Sequence, residues 1–128
     1  QESDSGDSDK ELEMYEASEL AQLMRNMYQD NLALRDTILQ GKVPQSFPRD
    51  FERIHTAAAT DDENQEATFK ALAGEYLRYY DSLQAADNPA AARISYNGMI
   101  QTCASCHQQY CRGPLAKINR MRISGKDI

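Results

Sequence analysis

Five consecutive residues near the end of the chain have the types and spacing needed for covalent cofactor attachment: Cys103-Ala104-Ser105-Cys106-His107. Cys-x-x-Cys-His is the attachment signal of c-type haem. Two thiols three residues apart share one helical turn, so each can form a thioether with one of the two vinyl groups. His107 can then offer an imidazole nitrogen to the iron. The pentapeptide therefore predicts one haem c per chain, with His107 as an axial iron ligand.

The same cysteine pair also occurs in two other kinds of site, a zinc site and a thioredoxin-like redox pair. A zinc ribbon needs a second pair of ligands, and Cys111 and His55 do not form one at a suitable spacing. A thioredoxin-type motif follows a strand in an alternating α/β pattern, and no such pattern occurs in this sequence. The histidine directly after the second cysteine favours haem over both. A helical binding module without haem is a further alternative.

Length and charge limit the function further. A chain of 128 residues is large enough for one domain with a single core. Its net charge of −6 makes nucleic acid an unsuitable partner and favours redox partner proteins with a basic docking surface. No apolar run reaches about 18 residues, so no transmembrane segment is predicted. The oligomeric state is open, and a homodimer is one of the options.

The N-terminal segment differs in composition from the rest of the chain. Residues 1–9 are acidic, contain Ser and Gly, and lack apolar side chains, which predicts a disordered segment. Residues 10–128 are predicted to form the cytochrome domain. Because haem attachment to this motif normally follows export, we expect a periplasmic or exported protein whose leader has been removed. Residues 1–9 would then be either a tether behind a lipid-anchored residue or only a ragged terminus.

Capping signals and apolar spacing predict a long first helix and a shorter second one. The first helix, of about 30 residues, starts at a capping box with Ser8 as N-cap and Glu11 at the third helical position. Apolar residues then recur at helical spacing until Gly41 ends the helix. Pro48 opens the second helix at its first turn, and Phe51 is among the residues on its buried face.

Two further helices follow. The third is predicted to start at the capping box Thr60-Asp61-Asp62-Glu63, and the fourth starts with Asn88 as N-cap and Pro89 at its first position. The fourth helix should stop before Gly113-Pro114. The basic tail from Leu115 is expected to form a turn of helix and then a loose end. Four amphipathic helices with short connections predict an all-α, antiparallel four-helix bundle.

Over residues 10–112 the chain resembles the cytochrome c prime family of exported four-helix-bundle haem proteins. The likeness is carried by Cys-x-x-Cys-His near the end of the fourth helix, continued as Gln108-Gln109-Tyr110, and by the sequence Gln40-Gly41-Lys42-Val43-Pro44 that closes the first helix. The resemblance implies that haem lies between the first and fourth helices. His107 would lie on one side of it and a first-helix residue on the other.

The residue opposite His107 determines the kind of cytochrome that the resemblance implies. High-spin members have an apolar side chain there, whereas low-spin members have methionine and carry electrons. Leu23-Met24-Arg25 in the first helix is similar to the low-spin pattern, which implies Met24 as the second axial ligand. Counting about five turns from Pro89 to His107, and the same rise back from the end of the first helix, independently places residues 22–27 at the haem level. Met27 also lies in that window.

Other side chains are assigned smaller roles. Arg25 and Arg112 are candidates to pair with the haem propionates, because a guanidinium binds a carboxylate bidentately, although solvated surface charge is the alternative. Tyr110 is expected to pack at the porphyrin edge. Cys111 is expected to be a buried, inert thiol, with an exposed, dimerising thiol as the alternative. Met99 is expected to pack in the core, and His55 to be a hydrogen-bonded core residue.

These expectations together predict a one-electron carrier. The chain would supply the axial His107 and Met24, a pocket of low dielectric constant, and an exposed haem edge where partners dock. No catalytic acid–base pair is predicted beside the iron, so we do not expect an enzyme. The main alternative is a five-coordinate protein of the same family that binds nitric oxide or carbon monoxide.

Overall fold

The computed structural model describes residues 18–125, and every regular element in that range is helical. The elements in chain order are α1 (Glu19–Leu39), two 3-10 helices (Asp50–His55 and Glu63–Gln65), α2 (Ala67–Ala85), α3 (Pro89–Gln109) and the short α4 (Leu115–Asn119). The predicted all-α class is confirmed. The predicted N-terminal tether, residues 1–9, lies outside the described residues.

Helix α1 begins later than its predicted capping box. Its N-cap is Ser18, which has extended backbone angles and a side-chain oxygen that accepts a 3.1 Å hydrogen bond from the Ala21 amide. The predicted cap at Ser8 lies outside the described residues. At the other end the prediction is confirmed, because Gly41 takes a positive φ of 77°, a conformation that glycine adopts at little steric cost.

The predicted second helix is reduced to the 3-10 helix Asp50–His55. Phe51 and Ile54 are buried on it, so the predicted burial of Phe51 is confirmed, but the predicted length of the helix and its start at Pro48 are not. The buried side chain of Asn64 donates hydrogen bonds to the Ile54 carbonyl at 3.4 Å and to the Ala57 carbonyl at 2.8 Å. In a longer helix these two carbonyls would accept hydrogen bonds from backbone amides, but here they accept them from the Asn64 side chain. The described residues thus contain three long helices rather than four.

Helix α2 also begins later in the chain than predicted. The predicted N-cap Thr60 is not followed by α-helix, because Asp62 adopts a left-handed conformation (φ 54°) and a 3-10 helix follows it. Helix α2 begins only at Ala67. By contrast, the start of α3 is as predicted: Asn88 is its N-cap, and the Asn88 side-chain oxygen accepts a 2.9 Å hydrogen bond from the Ala91 amide.

Helices α2 and α3 form the most extensive helix pair of the described residues. They approach closely at Gly98, where a Cβ atom would lie 2.3 Å from ring carbons of Tyr79. Real Cβ contacts are never that short, so the absence of a side chain at Gly98 permits this packing. Further core side chains come from every long helix, among them Leu23, Leu83 and Ile100.

The C-terminal segment is packed rather than loose as far as the structure describes it. Ile118, Met121 and Ile123 are buried. The Tyr96 hydroxyl of α3 donates a 2.9 Å hydrogen bond to the Met121 carbonyl, and Asn97 pairs with both the amide and the carbonyl of Ile123 at 2.9 Å. The predicted turn of helix is confirmed as α4, but the predicted loose end does not follow it directly, because the chain stays packed as far as Ile123. These contacts fix α4 against α3.

The contact at Gly98 leads to a stability prediction with a matched control. We expect Gly98→Ala to lower the free energy of unfolding by about 1–3 kcal/mol, because the added methyl group overlaps the Tyr79 ring. The control is Gly74→Ala in α2, where the nearest atom to an added Cβ is Arg78 Nη1 at 3.9 Å. That change should raise stability by up to about 1 kcal/mol through helix propensity. Chemical denaturation of both variants measures the difference, and equal stabilisation would contradict this packing.

Candidate functional site

A cavity of about 660 Å³ lies among α1, α3 and α4. Its volume falls within the range of roughly 300–1,000 Å³ that is usual for ligand and cofactor pockets. Cys103, Cys106 and His107 contribute to one wall from the last two turns of α3, and Met24 and Met27 contribute from α1. The structure therefore gathers the predicted attachment residues and both candidate methionines around one space.

His107 is held by a hydrogen bond that determines which of its ring nitrogens is free. Its Nδ1 lies 2.7 Å from the backbone carbonyl oxygen of Cys111. A carbonyl oxygen can only accept, so Nδ1 carries a proton, and in the neutral imidazole the lone pair is then on Nε2. Metal-ligating histidines commonly show this arrangement, in which one ring nitrogen donates to a carbonyl and the other binds the metal. The half-buried His107 is thus prepared to act as a ligand through Nε2.

The two candidate methionines differ in exposure. Met27 is only 4 % exposed and belongs to the hydrophobic core, whereas Met24 is half-buried and packs at its margin. Both line the cavity. Met99 is fully buried in α3, as expected for a packing residue. His55 is half-buried at the end of its 3-10 helix and does not line the cavity.

Cys103 and Cys106 face an apolar environment. Burial, and secondarily the nearby Cys106 thiol, raises the pKa of Cys103 to about 12. Burial alone raises the pKa of Cys106 to about 11. Reactive redox cysteines and thiolate metal ligands have lowered pKa values, because the thiolate is the reactive form. As free thiols these two side chains stay protonated at neutral pH, which does not suit a thioredoxin-like pair.

The charged residues at the cavity differ from those expected. Arg25 lines it and is exposed, whereas Arg112 is exposed and does not line it. Lys117 of α4 lines it instead, with its Nζ 4.1 Å from the centroid of the Tyr28 ring in a cation–π contact. The sequence placed Lys117 in the turn of helix predicted after Leu115 but gave no signal that this turn packs beside the cavity.

Tyr110 and Cys111 lie where the motif leaves α3. Tyr110 lines the cavity and packs edge-on against Phe69 with ring centroids 5.4 Å apart. Partial burial, followed by the Glu66 carboxylate, raises the pKa of its hydroxyl, so it stays neutral. Cys111 also lines the cavity, but it is exposed rather than buried as expected. It follows the end of the helix, where no neighbouring helix covers it.

The buried polar pair Asn31 and Tyr76, of which Asn31 lines the cavity, was not predicted from the sequence. Asn31 interrupts the apolar stripe of α1, is buried, and donates a 3.0 Å hydrogen bond from Nδ2 to the hydroxyl of Tyr76 on α2. Tyr76 is buried too, and Asn31 lines the cavity. Apolar spacing predicts a helix face only from its apolar members, so it gives no signal for a functional polar residue within that face.

Comparisons of the chain with protein-family profiles, with curated proteins and with solved structures found no match. Within residues 18–125, no three His, Cys, Asp or Glu side chains gather where they could hold a metal ion by themselves. None of the helices in that range has the length and apolar character needed to cross a lipid bilayer.

The exposure of Cys111 leads to a labelling prediction. We expect a thiol reagent to modify Cys111 rapidly in the native protein, because its side chain is exposed while Cys103 and Cys106 are shielded by apolar neighbours. Cys111→Ser should abolish the fast reaction, as followed by mass spectrometry of the labelled protein. Slow labelling of the unmutated protein would show that Cys111 is covered.

Proposed function

We propose that this protein is a single-haem c-type cytochrome that carries one electron between redox partners. Cys103 and Cys106 would attach the haem, and His107 and Met24 would be its axial ligands. The observation that carries the proposal is the 2.7 Å hydrogen bond from His107 Nδ1 to the Cys111 carbonyl, which leaves Nε2 without this partner in a residue that lines the same cavity as both motif cysteines. When bound, haem c supplies a reversible one-electron couple at its iron.

The two cysteines have the placement that the attachment requires. Cys103 and Cys106 are three residues apart in α3, so both thiols project from one helical turn into the same cavity. Each sulfur would form a thioether by addition across a vinyl group, with the thiol proton going to the neighbouring carbon. Both thiols are consumed in this way, which agrees with apolar surroundings that disfavour the free thiolate.

Met24 is the better candidate for the second axial ligand. Its half-buried side chain lines the cavity at the margin of the core. Met27 fills space among other core residues and is almost fully covered. A thioether opposite a histidine favours the reduced state of the iron, which suits an electron carrier.

Charged residues are available for the ends of the cofactor and for a partner. Arg25 and Lys117, both exposed at the cavity, can pair with the propionates; Arg112 lies away from it and is assigned to the surface. The net charge of −6 favours docking of a basic partner surface.

We further propose an exported, periplasmic location and a bundle-like helix arrangement in which the 3-10 helix Asp50–His55 replaces a full second helix.

The ligand assignment is tested by Met24→Ala in the haem-loaded protein. Removing the thioether should open the sixth coordination position without loss of haem, because the attachment residues are untouched. We expect a high-spin or water-ligated ferric spectrum, a lower reduction potential, and new binding of carbon monoxide to the reduced form.

Met27→Ala is the matched control on the same helix. It should keep the native low-spin spectrum and only lower the free energy of unfolding by about 2–5 kcal/mol, because a core side chain is truncated. Loss of the low-spin spectrum in Met27→Ala, with retention in Met24→Ala, would show that Met27 is the ligand. An unmutated protein that is high-spin and binds carbon monoxide readily would instead favour a gas-binding protein.

A further inference from the structure

The side-chain carbonyl oxygen of Asn31, Oδ1, has no hydrogen-bond partner in the part of the chain that the structure describes. The side chain is 2 % exposed, so water does not reach it freely from outside. Its Nδ2 is engaged, donating to the Tyr76 hydroxyl at 3.0 Å. Asn31 lines the cavity, and its unpaired oxygen is itself covered, so the oxygen lies buried beside the wall of the proposed cofactor site.

An unpaired carbonyl group in this buried position lowers the free energy of unfolding. Nearly all buried polar groups in proteins have a partner, because losing the hydrogen bond to water without replacement carries a free-energy penalty. The neighbouring buried residues of α1 are apolar, among them Leu23, Met27 and Leu34. A leucine at position 31 would continue this stripe, so packing alone does not account for the asparagine.

We propose that Asn31 is a tuning residue whose carbonyl oxygen stabilises the oxidised state of the cofactor, with Tyr76 holding the amide in that orientation. This inference rests on the proposed function. The oxygen is the negative end of the amide dipole, and the oxidised iron centre carries one more positive charge than the reduced one. In a cavity with a low dielectric constant the attraction is stronger than in water, so the oxygen lowers the reduction potential.

Tyr76 supports this role by holding the amide. Its hydroxyl oxygen accepts from Nδ2, which turns Oδ1 away from Tyr76 and leaves it without a partner. Burial raises the pKa of Tyr76 well above its usual range, so the phenol is neutral in both oxidation states. The negative end of the Asn31 dipole is therefore the end that no hydrogen bond compensates, and it would act on the cofactor through space from its buried position.

The test compares reduction potentials of haem-loaded variants. We expect Asn31→Leu and Asn31→Ala both to raise the potential while they keep the haem and the low-spin spectrum. In the double variant Asn31→Leu/Tyr76→Phe both polar partners are removed together, so neither is left unpaired. That double variant should show the raised reduction potential and also a raised midpoint of thermal unfolding.

Asn64→Leu is the matched control, since Asn64 is 1 % exposed but donates to two carbonyls and does not line the cavity. It should lower the thermal midpoint and leave the potential unchanged. An unchanged or lowered potential in the Asn31 variants, with haem bound, would overturn the tuning role alone. Variants of Asn31 that fail to fold would show a structural role and overturn it too, whereas absence of haem from the unmutated protein would overturn the proposed function itself.

Discussion

The hydrogen bond between His107 and the Cys111 carbonyl is the constraint on which the candidate site depends. It joins the last turn of α3 to the residues that leave the helix, so the course of the chain after Gln109 sets the orientation of the imidazole ring. His107 lines a cavity that both motif cysteines also line. Without this bond the same residues would line the cavity, but the free nitrogen and the ring orientation would not be determined.

The rest of the fold holds the middle of α3 in place, about three turns before His107. Tyr96 and Asn97 bind the main chain after α4, and Arg35 of α1 donates from Nε to the Met121 carbonyl at 3.0 Å. The C-terminal segment is therefore attached to both α1 and α3, the two helices that supply the proposed ligands. On the other side of α3, the contact at Gly98 brings α2 close. The cavity thus has walls that are fixed by hydrogen bonds and by close packing.

Local signals predicted much of this from the sequence, and long-range contacts account for what they missed. The cap and proline at Asn88-Pro89 set the start of α3, and helical spacing brought Met24 to the cavity, because both depend on residues near in sequence. Asn64 binds the Ala57 carbonyl just after the short second helix, and Asn97 of α3 binds the chain that follows Lys117. Those interactions join residues far apart in sequence or replace a helical pattern, so spacing could not reveal them.

The attachment of haem is the central claim, and the intact mass of the purified, denatured protein after acid–acetone extraction tests it most directly. Thioethers from Cys103 and Cys106 are covalent, so extraction cannot remove the cofactor. The proposal predicts a polypeptide mass increased by one haem, and loss of that covalent increase when both cysteines are replaced by alanine. An unmodified mass for the protein isolated from a host that matures c-type cytochromes would contradict it.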